Sequence, residues 1–174
     1  PNDYASTKDR SVQLAMALSP PEDKSTGVFD VDYSFRNRDT FGHLDFGFGD
    51  YGTTKRTIDT HGLAGKYSLD TNLADRDLNL VAGTDYYRSK NHILGNNYGS
   101  FPSADNLFIT KEEIAGYLSA DYELVDQIFF NAGTRYQKAY YTFDRPDIST
   151  YDKQNPHKTA SMAGLRYQYA EKSN

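Results

Sequence analysis

The feature that most constrains this chain is an alternation of period two that runs almost from end to end. Over residues 27–38, Phe29, Val31, Tyr33 and Phe35 fall on one face, and Asp30, Asp32, Ser34 and Arg36 on the other. Side chains alternate between two faces only in an extended strand, so this pattern specifies strands that are apolar on one side. Leu78, Leu80, Ala82, Thr84 and Tyr86 repeat it against Asn79, Gly83 and Asp85, with Val81 as an exception. Ile114, Gly116, Leu118, Ala120, Tyr122 and Leu124 oppose Glu113, Ser119, Asp121 and Glu123. Ile128, Phe130, Ala132, Thr134 and Tyr136 oppose Asn131, Arg135 and Gln137, and Ala163, Leu165, Tyr167 and Tyr169 oppose Arg166 and Gln168. Weaker alternation covers Thr53–Leu69, clean only over Leu63, Gly65, Tyr67 and Leu69, and the weakest covers Ser11–Leu18.

The expected fold is therefore all-β, an antiparallel up-and-down meander of about seven long strands. They are placed at about 11–18, 27–47, 53–70, 78–94, 108–125, 128–144 and 158–171. Several exceed the five or six residues usual in soluble proteins and the roughly 9–11 tilted residues that cross a bilayer. Pro20–Thr26, Asn72–Asp77 and Asp126–Gln127 read as short turns. Phe48–Gly52, Asn96–Leu107 and Pro146–Pro156 alternate with them, and two of these are long. Short turns at one end and long loops at the other are the layout of a transmembrane β-barrel in the bacterial outer membrane.

Composition fits that layout. Only 37% of residues are apolar and mean hydropathy is −0.76, as in a wall that shows lipid every second side chain. The chain has 15 Tyr and 10 Phe, side chains that suit strands and, for Tyr, membrane interfaces. It has no Cys, which excludes thiolate chemistry, disulfides and Cys-ligated zinc. A net charge of −5 with no basic stripe excludes a nucleic-acid footprint. No segment reaches the roughly 20 apolar residues of a membrane-spanning helix. The chain begins at Pro1 without a signal sequence, which reads as an internal fragment or a processed chain.

A short word recurs: Val81-Ala82-Gly83-Thr84-Asp85-Tyr86-Tyr87, then Asn131-Ala132-Gly133-Thr134-Arg135-Tyr136-Gln137, then Met162-Ala163-Gly164-Leu165-Arg166-Tyr167-Gln168. Each copy sets a small outward Ala, an inward Gly, an inward charge and an outward Tyr. Unequal spacing excludes a solenoid or propeller.

At these residues the chain resembles the barrel of TonB-dependent outer-membrane receptors. Residues 60–87 resemble a strand pair of that family, a "GL…KY.L" strand leading into "L.L.AG.DYY". Residues 112–136 resemble another, with EEIAGYLSADYEL followed by FNAGTRYQ. The resemblance covers most of residues 27–169. It implies a wall segment of a receptor importing a scarce nutrient, of the siderophore, corrinoid or glycan class. The partners it implies are outer-membrane lipid, a small-molecule ligand, and the plug domain and TonB of the parent system. No plug domain and no TonB box can be placed, the final residues lack a terminal aromatic, and seven strands are too few for the family's 22. The other readings are a passive porin-like barrel and a soluble small-ligand-binding β-barrel. They differ in a checkable way: a soluble barrel turns Phe29, Leu80, Leu118, Phe130 and Leu165 inward, a membrane barrel outward.

No enzymatic site is expected. His43, His61, His92 and His157 lack metal-site spacing and read as solvated or lumen-facing. Glu112 and Glu113 are adjacent and should point to opposite faces, so they form no catalytic dyad. No nucleophile elbow or phosphate-binding loop is present, and no cofactor is expected. Arg36, Asp85, Asp121, Glu123, Arg135 and Arg166 are the lumen-facing candidates. They read either as a hydrated wall with cross-strand ion pairs or as contacts to a plug or a passing substrate. Tyr98, Phe101 and Tyr151 are the candidate ligand contacts in extracellular loops. The alternative for them is incidental aromatics on a surface loop. An isolated sheet of this kind would expose two edges and an apolar face, so the chain alone is expected to be unstable without detergent.

Overall fold

A computed structural model describes residues 3–18, 27–99 and 103–169. They form one antiparallel meander: β1 Tyr4–Leu18, β2 Val28–Gly47, β3 Asp50–Leu73, β4 Arg76–Tyr98, β5 Ser103–Val125, β6 Ile128–Arg145, β7 Thr150–Gln154 and β8 His157–Tyr167. From β1 to β7 each strand pairs with the next, and β6 carries both β7 and β8 along its far edge. The eighth strand is the short β7, which pairs with the rim end of β6, from Arg145 to Tyr141.

Several strands are longer than the sequence pattern indicates, while the strand expected over 158–171 ends at Tyr167. β3 has 24 residues, and β4 and β5 have 23 each. β1 begins at Tyr4, because the polar stretch around Lys8-Asp9-Arg10 pairs in register with Arg38 and its neighbours. The stretch expected to loop over Asn96–Leu107 is strand on both sides of residues 99–102. Pro146–Pro156 holds one 3-10 turn, Pro146–Ile148, and then β7. Alternation of hydrophobicity fades in these parts, but backbone pairing does not need it. Polar side chains on both faces are tolerated wherever both faces meet water. The turn expected over Pro20–Thr26, Phe101, and residues 170 and 171 lie outside the described residues.

Three hairpin connections are two residues long, the third being Asp126 and Gln127 between β5 and β6. Phe48 and Gly49 joining β2 to β3, and Ala74 and Asp75 joining β3 to β4, all have positive φ. That is the mirror-image turn whose twist matches a two-residue hairpin. The Ala74–Asp75 and Asp126–Gln127 turns lie at one end of the sheet, here the turn end. The Phe48–Gly49 turn lies at the other, the rim end.

Register places Leu14, Tyr33, Leu63, Tyr86 and Ile114 in one row on one face. Leu80, Leu118, Phe130 and Leu165 lie on the same face. The polar face is the crowded one. Ala115 and Ala139, the only buried apolar residues described, are both on it. Phe29, Leu118, Phe130 and Leu165 stay 39–72% exposed on the other. Side chains converge on the concave side of a curved sheet and diverge on the convex side, so the apolar face is the outer one. No closed apolar core is formed among the described residues, as the membrane-barrel reading expects and the soluble-barrel reading does not.

Candidate functional site: the inner face and the rim

Arg36, Asp85, Asp121, Glu123, Arg135 and Arg166 all fall on the inner, polar face by register. Arg135 Nη1 donates to Asp85 Oδ2 at 2.8 Å, skipping β5 entirely. Its guanidinium lies 5.7 Å from the ring centre of Tyr117 on the skipped strand. Arg166 repeats the arrangement, reaching Asp121 at 3.0 Å across β6 and lying 4.3 Å from the Phe129 ring centre. Arg36 binds Asp9 through two donors, and Arg38 shares the same carboxylate. Glu123 sits near the turn end and joins none of these pairs.

The recurring word has a packing reason. A Cβ on Gly83 would stand 2.4 Å from Cζ and Oη of Tyr117 and 2.8 Å from the Gly65 carbonyl oxygen. Gly83 therefore makes room for the inward ring on which Arg135 rests. A Cβ on Gly164 would meet Asn131 Oδ1 at 2.9 Å. Small residue and charge, two apart on the inner face, supply space and then a cross-wall ion pair.

Toward the turn end, Asp70, Asp77 and Asp121 line an inner-face groove of about 680 Å³ with Asn79, Phe129 and Arg166. No cluster of three metal-ligating side chains occurs among the described residues. Glu112 and Glu113 do face apart. Glu112 lies beside Arg88 on the outer face, while Glu113 pairs with Lys111 and accepts from Gln137 Nε2 on the inner.

Toward the rim the polarity of the two faces changes. Ile58, Ile93, Leu107, Ile109, Tyr141 and Phe143 now point inward as neighbours across β3–β6. Leu44 and Phe46 extend apolar surface along the inner side of β2, and Phe48 stands fully exposed at the hairpin tip. Sequence reasoning missed this patch. The signal was there: past Lys111 the apolar residues shift from even to odd positions. Tyr98 and Tyr151 lie in β4 and β7 and not in loops, and both point outward. Tyr98 stacks on Tyr51 at 4.7 Å, and Lys153 lies over the Tyr151 ring. All four histidines are outward too, each against an aromatic ring, and none faces the lumen. At the β6–β7 bend, the Arg145 guanidinium hydrogen-bonded to Asp147 holds that carboxyl below its ordinary range.

No protein-family model and no curated protein sequence matches the chain. Solved structures do. The ferric citrate transporter FecA, in its unliganded form, superposes with a TM-score of 0.84 at 15% identity, over 97% of this chain and 26% of that one. BauA, the ferric preacinetobactin receptor from Acinetobacter baumannii, gives 0.74 at 12% identity, over 97% of this chain and 29% of its own. The copper transporter OprC gives 0.69 at 12%, over 95% and 28%. The chain thus spans about a quarter of the length of these proteins. At such identities the likeness speaks for the fold alone: an antiparallel wall segment of a large transmembrane β-barrel.

Proposed function

We propose that this chain is part of the wall of a bacterial outer-membrane receptor that imports a scarce nutrient. The single observation that carries the reading is the division of its two faces. The outer face is apolar over a band such as Leu78–Tyr86, nine residues long, matching the span of a tilted strand through hydrocarbon. The inner face is charged along the same band and becomes apolar and aromatic toward the rim. A mouth of that kind receives a small molecule, and a hydrated wall beyond it lets the molecule pass. Ferric siderophores, corrinoids and glycans are the ligand classes in view, and the rim residues Phe46, Phe48 and Phe143 are the contacts the geometry favours.

The inner wall would also seat a plug domain, with the acidic groove of Asp70, Asp77 and Asp121 suited to basic side chains. TonB at the inner membrane would displace the plug. No covalent step is required of any residue described here. The test is uptake by cells expressing the full-length protein, using labelled ferric chelates, cobalamin and oligosaccharides. Import of one class that stops on adding an uncoupler supports the reading. Import that continues unchanged supports a passive porin, and no import of any class sinks the proposal.

A further inference from the structure

Two tyrosines of the inner face lie across the neighbouring strand instead of standing off the wall. A Cβ on Gly62 would be 2.8 Å from Cε1 and 3.1 Å from Cδ1 of Tyr87, its partner in the β3–β4 register. A Cβ on Gly83 would meet the tip of the Tyr117 ring at 2.4 Å. Each ring fills the space that a glycine leaves and so spreads along the wall. Tyr87 is exposed and Tyr117 partly so. Gly62 stands opposite Tyr87, and Gly83 is four residues further along β4 toward the turn end, so strand geometry sets the two ring sites about 14 Å apart. Around them are hydroxyls and matched ions. Ser34 Oγ borders Gly62, and Thr60 donates to Ser89 Oγ at 3.4 Å. Lys66 is bound to Asp30 at 2.9 Å, Arg135 to Asp85 at 2.8 Å and Lys111 to Glu113 at 2.5 Å, while Arg36 and Arg38 share Asp9.

We infer that Tyr87 and Tyr117 form a stacking track for a neutral oligosaccharide, which makes glycans the nutrient this wall passes. The inference rests on the receptor reading given above and narrows its ligand classes to one. A sugar ring carries C–H groups on its flat faces and hydroxyls around its edge. An aromatic face laid along the lumen covers the first. The serine and threonine hydroxyls, and the lone pairs left on the paired carboxylates, bind the second. Two such faces set well apart suit a chain whose rings recur along one axis, whereas a compact chelate touches one at a time. An anionic ferric chelate would need an unmatched cation, and each of the five cations named here is already bound to a carboxylate. Packing alone does not ask for tyrosine, because alanine at positions 62 and 83 would fill the same space without a ring.

The test is uptake by cells expressing the full-length protein, offered a labelled pool of neutral glucan, xylan and mannan oligosaccharides, a ferric hydroxamate and cobalamin. Uncoupler-sensitive import of an oligosaccharide is expected. Tyr87→Leu and Tyr117→Leu, which keep bulk and lose the ring face, each raise its KM about tenfold while the amount and heat-modifiable migration of the barrel stay as in the wild type. Tyr87→Phe and Tyr117→Phe, which restore a ring, recover most of that loss. Import of the ferric hydroxamate or of cobalamin in place of an oligosaccharide overturns the inference and leaves the receptor reading standing. That arm uses the wild type only, so it decides the matter even where a leucine variant fails to fold. An unchanged KM in leucine variants that migrate normally overturns the inference as well. No import of any class overturns the receptor reading and this inference with it.

Discussion

Arg135 and Asp85 are 50 residues apart in sequence and two strands apart in space, yet their side chains meet at 2.8 Å above the back of β5. Neighbouring strands are about 4.8 Å apart, so the arginine crosses about 10 Å of wall. Asp85 keeps only 16% of its side chain exposed, against 39% for Arg135. Arg135→Gln leaves a largely shielded carboxylate unpaired and should lower barrel stability by about 1–2 kcal/mol. Asp85→Asn should cost less, because the more exposed guanidinium regains water. Urea unfolding of the full-length protein in detergent measures both, and the double variant should show coupling.

Gly83→Ala should be more damaging than its size suggests. The added methyl meets Tyr117 and the Gly65 carbonyl oxygen, and backbone yields less easily than a side chain. Overpacking of this kind costs about 1–3 kcal/mol. Gly116→Ala, whose methyl would find nothing nearer than 3.9 Å, is the control and should be close to neutral. Heat-modifiable migration on gels distinguishes the two.

Arginine scanning separates the faces. Leu118→Arg puts a cation in the outward apolar band and should cost about 2–4 kcal/mol of folding into bilayers. Ala64→Arg, on the inner face between Asp32 and Asp85, should fold as well as the wild type. Vesicle-insertion yield reads the difference, and equal yields would contradict the assignment of faces.

The β6–β7 bend should respond to acid. Hydrogen bonding from Arg145 lowers the Asp147 pKa from its ordinary 3.8. The charged form is thus favoured in the folded bend, and its contribution is complete above pH 3.8. It disappears as the pH falls through the lower folded-state value. Exchange of the Ser149 amide, which donates to the Pro146 carbonyl, should accelerate in that window after correction for intrinsic rates. Asp147→Asn should remove the pH dependence.

The inner and outer faces were legible because one period, two, specifies both the strand and its sidedness. Phe29, Leu118 and Leu165 could be assigned to a single face without knowing the pairing. The rim was not legible for the same reason. Beyond Lys111 apolar residues appear on the other parity, so Leu107 and Ile109 look like noise until the register joins them to Ile93 and Phe143. β7 and the first residues of β1 escaped because their side chains are polar on both faces. The outward placement of Tyr98 and Tyr151 followed from parity counts that a loop assignment never prompts. Strand-skipping pairs such as Arg135–Asp85 depend on the curvature of the whole sheet, which no local pattern encodes.

The backbone pairing that continues up to the rim changes how the mouth would work. Ile93, Leu107 and Phe143 sit on a continuous hydrogen-bonded ladder, so their positions are settled when the barrel folds. Capture at such a mouth spends little entropy on arranging the receptor, because a preorganised surface has already lost that freedom. Selectivity would come from shape held in advance, and a ligand of the wrong outline would meet a surface that does not adjust to it.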